Sequence, residues 1–280
     1  MNIATTYLFV PGNRHERFDK AVAAGADVTI FDLEDAVHPD GKDAARAAIA
    51  SWLAARQLSG QAANVLVRIN DAASPYFSAD LEWLANLPPG TPLAGLMVPK
   101  AEQPVSLGGI AEALRRVNPN GALVALIESA IGVQQADAIA TAPGVARLAF
   151  GSIDYAVDLG CEHTRDALAY ARSRLVLASR VARLPPPVDG VTTVLKDESV
   201  LADDVAYARE LGFAGKLCIH PSQVAGVQAG FRPSAQQADW ARRVIEATSS
   251  GSHAVQVDGK MVDRPVIEQA KRILALSGNE

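Results

Sequence analysis

Cysteine is nearly absent from the chain. Cys161 and Cys218 are its only two in 280 residues, and they form neither a disulfide framework nor a metal-binding spacing. A reducing cytoplasm is therefore the expected setting, and Cys218, inside an apolar run, reads as a core thiol. Basic blocks are missing too: 26 Lys and Arg stand against 31 Asp and Glu, a net charge of −5. That balance argues against a nucleic-acid partner. No apolar run approaches the roughly 20 residues of a membrane span, and no signal peptide opens the chain, so no membrane partner is expected. Aromatic residues amount to only 5%, which suits small Ala-rich helices packed closely on a sheet. A Gly-rich dinucleotide turn is lacking as well, and this counts against an open doubly wound sheet.

What the chain does have is a rhythm. Short apolar runs (Tyr7–Val10, Val28–Phe31, Val65–Asn70, Leu96–Lys100, Leu123–Ile127, Leu148–Phe150, a weak one at 185–190, and Lys216–Ile219) are each followed by a helical pattern. Eight such units, recurring at roughly 20–40 residues, match a (β/α)8 TIM barrel. The barrel is expected over residues 1–230, with a C-terminal lid or oligomerisation extension over 231–280. In that extension a helix at 235–248 leads to a flexible hinge at 249–252. A hairpin turning on Asp258-Gly259 follows, then a final helix opened by Pro265. The piece is too small to fold alone and should dock on its own barrel or a neighbour's. The Val266, Ile267, Ile273 and Leu274 face of its last helix is expected to need an outside surface, which a homo-oligomer would supply.

The stretch from Leu123 to Asp158 organises the rest. Two apolar runs flank a helical span, and each ends in one carboxylate, Glu128 and Asp154. A βαβ unit lays such strands parallel, with their C-terminal ends on one rim. Unpaired carboxylates side by side repel unless they share a proton, a basic partner or a cation; capping of the following helices explains them equally well. The register also puts Arg14, Glu34, Arg68, Lys100, Asp189 and His220 at or just past strand ends. On a barrel those ends form the active face, and this common address favours a hard cation such as Mg²⁺ held by Glu128 and Asp154. His220 before Pro221 reads as structural. Lys100 reads as charge-balancing, with a Schiff-base lysine as the alternative.

Several longer motifs go further. Leu8-Phe-Val-Pro-Gly-Asn-Arg14-His-Glu-Arg-Phe18, Phe31-Asp-Leu-Glu-Asp-Ala-Val37, Val67-Arg-Ile-Asn70, Val98-Pro-Lys100 and Leu126-Ile-Glu-Ser129 resemble the citrate lyase β-subunit-like family. Phe150-Gly-Ser-Ile-Asp154, Ile219-His-Pro-Ser-Gln223 and Gly259-Lys-Met-Val-Asp263 extend the resemblance over nearly the whole chain. That family is similar to the metal-dependent HpcH/HpaI-type aldolases, with malyl-CoA and citramalyl-CoA lyases as relatives. The resemblance implies that Glu128 and Asp154 ligate Mg²⁺ and that Arg68 contacts the substrate near its reacting carbonyl. It implies that Glu34 and Asp35 hold metal-bound waters and that Arg14 lies where the coenzyme A arm approaches. It also implies that Asp263, on the lid, reaches into a neighbouring subunit's site in a trimer or hexamer.

The chemistry agrees with these residue types. A 2-hydroxy or 2-oxo carboxylate can chelate Mg²⁺, and breaking the adjacent C–C bond leaves a carbonyl compound and a thioester enolate. Arg68 would stabilise the developing charge, and Asp263 is the candidate for proton transfer. The expected activity is therefore a carbon–carbon lyase acting on a CoA thioester or oxo-acid. A citrate-lyase-type subunit needing an acyl-carrier partner and a malyl-CoA thioesterase remain as alternatives.

Overall fold

The structure, a computed structural model, describes residues 3–61, 64–249 and 255–277. The chain divides into two compact units, one spanning Ile3–Val227 and one starting at Gln228.

In the first unit the apolar runs become seven strands: β1 (Thr6–Pro11), β2 (Val28–Asp32), β3 (Val65–Arg68), β4 (Gly95–Val98), β5 (Ala122–Ile127), β6 (Val145–Phe150) and β7 (Lys216–Cys218). They form one parallel sheet in the order β6-β5-β4-β3-β2-β1-β7. Every residue of β2 and β4 is buried, as parallel strands covered by helices on one face and a core on the other must be. The helices are α1 (Phe18–Val22), α2 (Lys42–Ser59), α3 (Phe77–Ala85), α4 (Pro104–Val117), α5 (Ala130–Gln134), α6 (Ala136–Ala140), α7 (Ser152–Leu159), α8 (Arg165–Val181) and α9 (Glu198–Leu211). Local chemistry sets their ends. Pro104 opens α4, where a missing N–H costs nothing. Gly60 closes α2 in the left-handed region at φ 65°.

The sheet curls. Ala149 on β6 and Leu217 on β7 belong to opposite edges, yet both pack in one core cluster with Tyr7, Ile30, Leu66 and Met97. The weak seventh strand expected at 185–190 does not form. Pro185, Pro186 and Pro187 have no N–H to donate to a ladder. What remains is two isolated parallel bridges, Val188 to Ala149 on β6 and Asp189 to Lys216 on β7.

α10 (Gln223–Phe231) carries the chain from the first unit into the second, which contains α11 (Ala235–Ser249), an antiparallel hairpin of β8 (Val255–Val257) and β9 (Lys260–Val262), and α12 (Arg264–Ser277). Asp258 and Gly259 turn the hairpin at φ 53° and 74°, the left-handed pair that a two-residue hairpin loop requires. The expected hinge at 249–252 falls, apart from Ser249, outside the described residues. The apolar face of α12 was expected to need an outside surface. Instead Val266, Ile267, Ile273 and Leu274 pack against Ala241 and Val244 of α11 within the same unit. Among the described residues no helix is long and apolar enough to cross a membrane.

Candidate active site

Arg68 ends β3 beside Asp32, which ends β2 and is its register partner. Asp32 is 1% exposed. The guanidinium grips it with both prongs: Nε donates to Oδ1 and NH2 to Oδ2, each at 2.7 Å. Asp32 is itself fixed from behind by the backbone N–H groups of Glu34 (2.9 Å) and Ala36 (3.2 Å). The third nitrogen, NH1, lies 2.7 Å from Glu34 Oε2 and 3.9 Å from Asp35 Oδ2. The Phe9 ring packs under the guanidinium at 4.9 Å. Fork geometry of this kind fixes orientation as well as charge.

The loop bearing Glu34 is tied down by Lys42. Its buried ammonium donates to the carbonyl oxygens of Leu33 (2.7 Å) and Glu34 (3.0 Å) and to Asn70 Oδ1 (2.8 Å). Asn70 in turn donates through its backbone N and its Nδ2 to Asp80. On the other side, Gly12 donates to Asp32 O at 2.8 Å. A Cβ at Gly12 would lie 2.6 Å from that oxygen, so no other residue allows the approach.

Glu128 follows β5 and is 4% exposed. Its Oε1 accepts the backbone N–H of Lys100 at 2.8 Å, and Lys100 holds a left-handed φ of 41° to aim that N–H. Gly151 presses on the other oxygen: a Cβ there would lie 2.4 Å from Glu128 Oε2. Burial, and then repulsion from Asp154, push the Glu128 carboxyl up to about 7 against the pull of Lys100 and Arg68. Asp154 is exposed and sits in the first turn of α7 rather than on the strand end itself. Glu34 is 6% exposed. Burial lifts it to about 9, opposed by Arg68 and reinforced by the charges of Glu128, Asp35 and Asp32. Its Oε2 is buried without a hydrogen bond, so the short approach of Arg68 NH1 is an ion pair, not an aligned bond.

This oxygen-rich centre fits a hard cation. Glu128 and Asp154 are close enough to repel each other, Glu34 offers an orphaned acceptor, and among the described residues no third His, Cys, Asp or Glu completes a protein-only cage. Few protein ligands, with the remaining positions left to water and substrate oxygens, is how Mg²⁺ is ordinarily bound.

Glu34, Arg68, Glu128 and Asp154 thus act on one another. Asp35 stands at the edge of this group with its side chain 72% exposed. Arg14 is exposed and paired with Glu16 at 2.6 Å. Lys100 reaches out to Asp71 at 3.7 Å, a charge-balancing contact. His220 closes a local turn on Ser222. Asp189 is bound by Arg172 and Lys216. Asp263 lies in the second unit, where its Oδ1 accepts from Val266 N at 3.2 Å and caps α12. Asp32, Lys42 and Gly151 were not anticipated from sequence. The one signal for Asp32 is its place at the head of the Asp32-Leu33-Glu34-Asp35 run.

The sequence profile of the HpcH/HpaI aldolase/citrate lyase family matches residues 5–221. A citrate lyase subunit beta-like protein of Deinococcus radiodurans is 36% identical over 277 residues, covering 96% of this chain and 95% of that one. A (3S)-malyl-CoA thioesterase of Cereibacter sphaeroides is 34% identical, covering 96% and 92%. Among solved structures, the CitE protein of Mycobacterium tuberculosis in complex with magnesium, acetoacetate and coenzyme A superposes with a TM-score of 0.83 at 33% identity over 100% of both chains.

Proposed function

The chain belongs to the HpcH/HpaI aldolase/citrate lyase family, and from that premise we propose that it is a Mg²⁺-dependent lyase. Its substrate would be a 3-hydroxy-carboxyacyl-CoA such as malyl-CoA or citramalyl-CoA, cleaved or formed through a thioester enolate. One observation carries the proposal: Arg68 is held by Asp32 on the Glu34 side while its charge also acts on Glu128. We take the curled sheet as a barrel of (β/α)8 type closed through Val188 and Asp189, which gathers these residues on one face.

Glu128 and Asp154 would hold Mg²⁺, and the ion would supply Lewis-acid polarisation of a substrate oxygen. Arg68 does the rest of the charge work. A guanidinium has five N–H donors; two go to Asp32 and one faces Glu34, which leaves two for a substrate oxygen. Because the fork is already fixed, no reorganisation is needed as negative charge develops there. Glu34, with its orphaned oxygen, accepts a proton or hydrogen bond from the substrate hydroxyl or a site water. Cleavage moves the bonding pair of the C–C bond into the thioester carbonyl, and the enolate carbon then takes a proton. Asp263 is the proposed donor, delivered from a neighbouring subunit of a homo-oligomer; its Oδ2 carries no hydrogen bond from the described residues, and the residue is exposed. Arg14 would meet the coenzyme A arm, and Asp35 a site water.

The test is a panel of malyl-CoA, citramalyl-CoA and β-methylmalyl-CoA, following free thiol and oxo-acid together. A lyase releases oxo-acid without free thiol. Free thiol without oxo-acid would favour hydrolysis, a reading kept open by the thioesterase relative. Turnover only with an acyl-carrier-bound substrate would favour a dependent citrate-lyase-type subunit.

A further inference from the structure

The buried charges that close the curled sheet leave one donor edge unanswered. Arg172, on α8, has a side chain 8% exposed. Its Nε donates to Asp189 Oδ1 at 2.9 Å. Two rings lie against the guanidinium, Phe150 at 5.3 Å and Tyr207 at 5.6 Å. Ring contacts of this kind engage the faces of the plane, whereas hydrogen bonds lie in it. NH1 and NH2 therefore need in-plane acceptors, and among the described residues they have none. Neither is a sealed atom, since the buried partnerless side-chain atoms among the described residues are Glu34 Oε2 and Ser179 Oγ; an acceptor for them must come from the space they face.

Arg172 lines a cavity of about 140 Å³. The carboxylates in its wall are already engaged. Asp189 holds Arg172 and faces Lys216 at 3.5 Å. Asp204 accepts from Thr192 Oγ1 at 2.6 Å and from Arg165 at 3.4 Å. The buried charges of the lining are Arg172, Lys216 and Asp189, two cations against one carboxylate; Arg165 is 42% exposed and is paired with Asp203 and Asp204. One negative charge is missing from the interior. The volume equals that of about four or five waters, enough for a carboxylate of similar size.

We propose that this cavity is a second ligand site, taking a small planar carboxylate edge-on against Arg172. It stands apart from the Glu128 and Asp154 centre but touches its support. His163 lines the cavity, and its Nε2 is 2.9 Å from Ser152 Oγ, two residues before Asp154. The assignment does not depend on the lyase reading.

The experiment titrates acetate, malonate and inorganic phosphate into chelator-treated Glu128→Ala protein by calorimetry, so that the metal centre cannot take up the anion. Saturable binding of a carboxylate, weakened at least about tenfold by Arg172→Lys, is the expected result. Lysine keeps the charge and the contact with Asp189 but cannot offer a two-pronged edge. Should Arg172→Lys fail to fold, a malonate-soaked crystal of the unaltered protein decides: density coplanar with the guanidinium is expected. Absence of saturable binding, equal binding by a folded Arg172→Lys protein, preference for phosphate, or water alone in the crystal would each overturn the assignment.

Discussion

Arg68→Lys separates charge from geometry at the centre of the site. Both side chains are cationic, so the long-range field on Glu34 and Glu128 survives the exchange. The contacts do not. Arg68 spans both oxygens of Asp32 and still reaches Glu34 at 2.7 Å. A lysine ammonium is a compact point charge on a flexible stem and can serve one of these carboxylates well, not both. Two losses follow. The folded protein leaves a buried carboxylate short of a partner, at a cost of about 1–3 kcal/mol. The donors aimed at the substrate oxygen lose their fixed direction, which by analogy with removal of an oxyanion donor lowers turnover on the order of 10²-fold or more. The assay is steady-state cleavage of the best CoA thioester at saturating Mg²⁺, alongside thermal unfolding of the same preparations. A variant that unfolds a few degrees lower but turns over at nearly the wild-type rate would refute the argument and reduce Arg68 to an ion-pair partner of Asp32.

Three other perturbations address the same centre. Glu128→Ala or Asp154→Ala should abolish metal-dependent turnover while circular dichroism stays unchanged, since neither contributes to the apolar core; full activity in protein shown metal-free by elemental analysis would contradict this. Gly151→Ala should weaken Mg²⁺ binding by roughly tenfold or more, because a Cβ 2.4 Å from Glu128 Oε2 must displace the carboxylate; unchanged affinity by calorimetry would show that Glu128 is not a ligand. Mixing inactive Asp263→Ala and Glu128→Ala subunits should restore activity, since one pairing joins an intact centre to an intact Asp263; subunit exchange confirmed by mass spectrometry without recovery would leave Asp263 as the cap of α12 alone.

The strands were legible because each is a continuous apolar run that contrasts with the helical period on either side. The failure at 185–190 was equally physical: three prolines precede Val188 and Asp189, so position in the rhythm suggested a full strand where the backbone pairs only through those two residues. Glu128 was legible as a carboxylate ending such a run. Asp32 was not, because its meaning lies in the register between β2 and β3, which pairs Asp32 with Arg68 across 36 residues of chain. Lys42 reads as an ordinary first-turn helix residue until its ammonium is seen buried against Leu33, Glu34 and Asn70. The apolar face of α12 was visible, but its partner was not: an amphipathic helix shows that it needs a surface, and here α11 supplies one.

Charge balance yields a last expectation. Asp32, Glu34, Asp35, Glu128 and Asp154 outnumber the cations Arg68, Lys42 and Lys100 by two. Burial, reinforced by the neighbouring carboxylates and opposed by Arg68, pushes Glu34 up to about 9 and Glu128 to about 7, so without metal both hold protons below those values. Two protons, or one divalent cation with every carboxylate ionised, bring the centre to the same net charge. Mg²⁺ binding should therefore expel up to two protons at pH 6 and about one at pH 8, and affinity should fall as pH drops below about 9 and more steeply below about 7. The sign for stability follows from Glu128. Its folded value is raised, so its contribution is complete below the ordinary carboxylate range and is lost as pH climbs through about 7. Linkage puts that loss at roughly 3 kcal/mol. Chelator-treated protein should melt at a lower temperature at pH 8 than at pH 5, and saturating Mg²⁺ should remove most of the difference. Calorimetry at pH 6 in buffers of different ionisation enthalpy counts the protons directly. A binding heat independent of the buffer would mean that no proton leaves, and that Glu128 is already ionised in the metal-free protein.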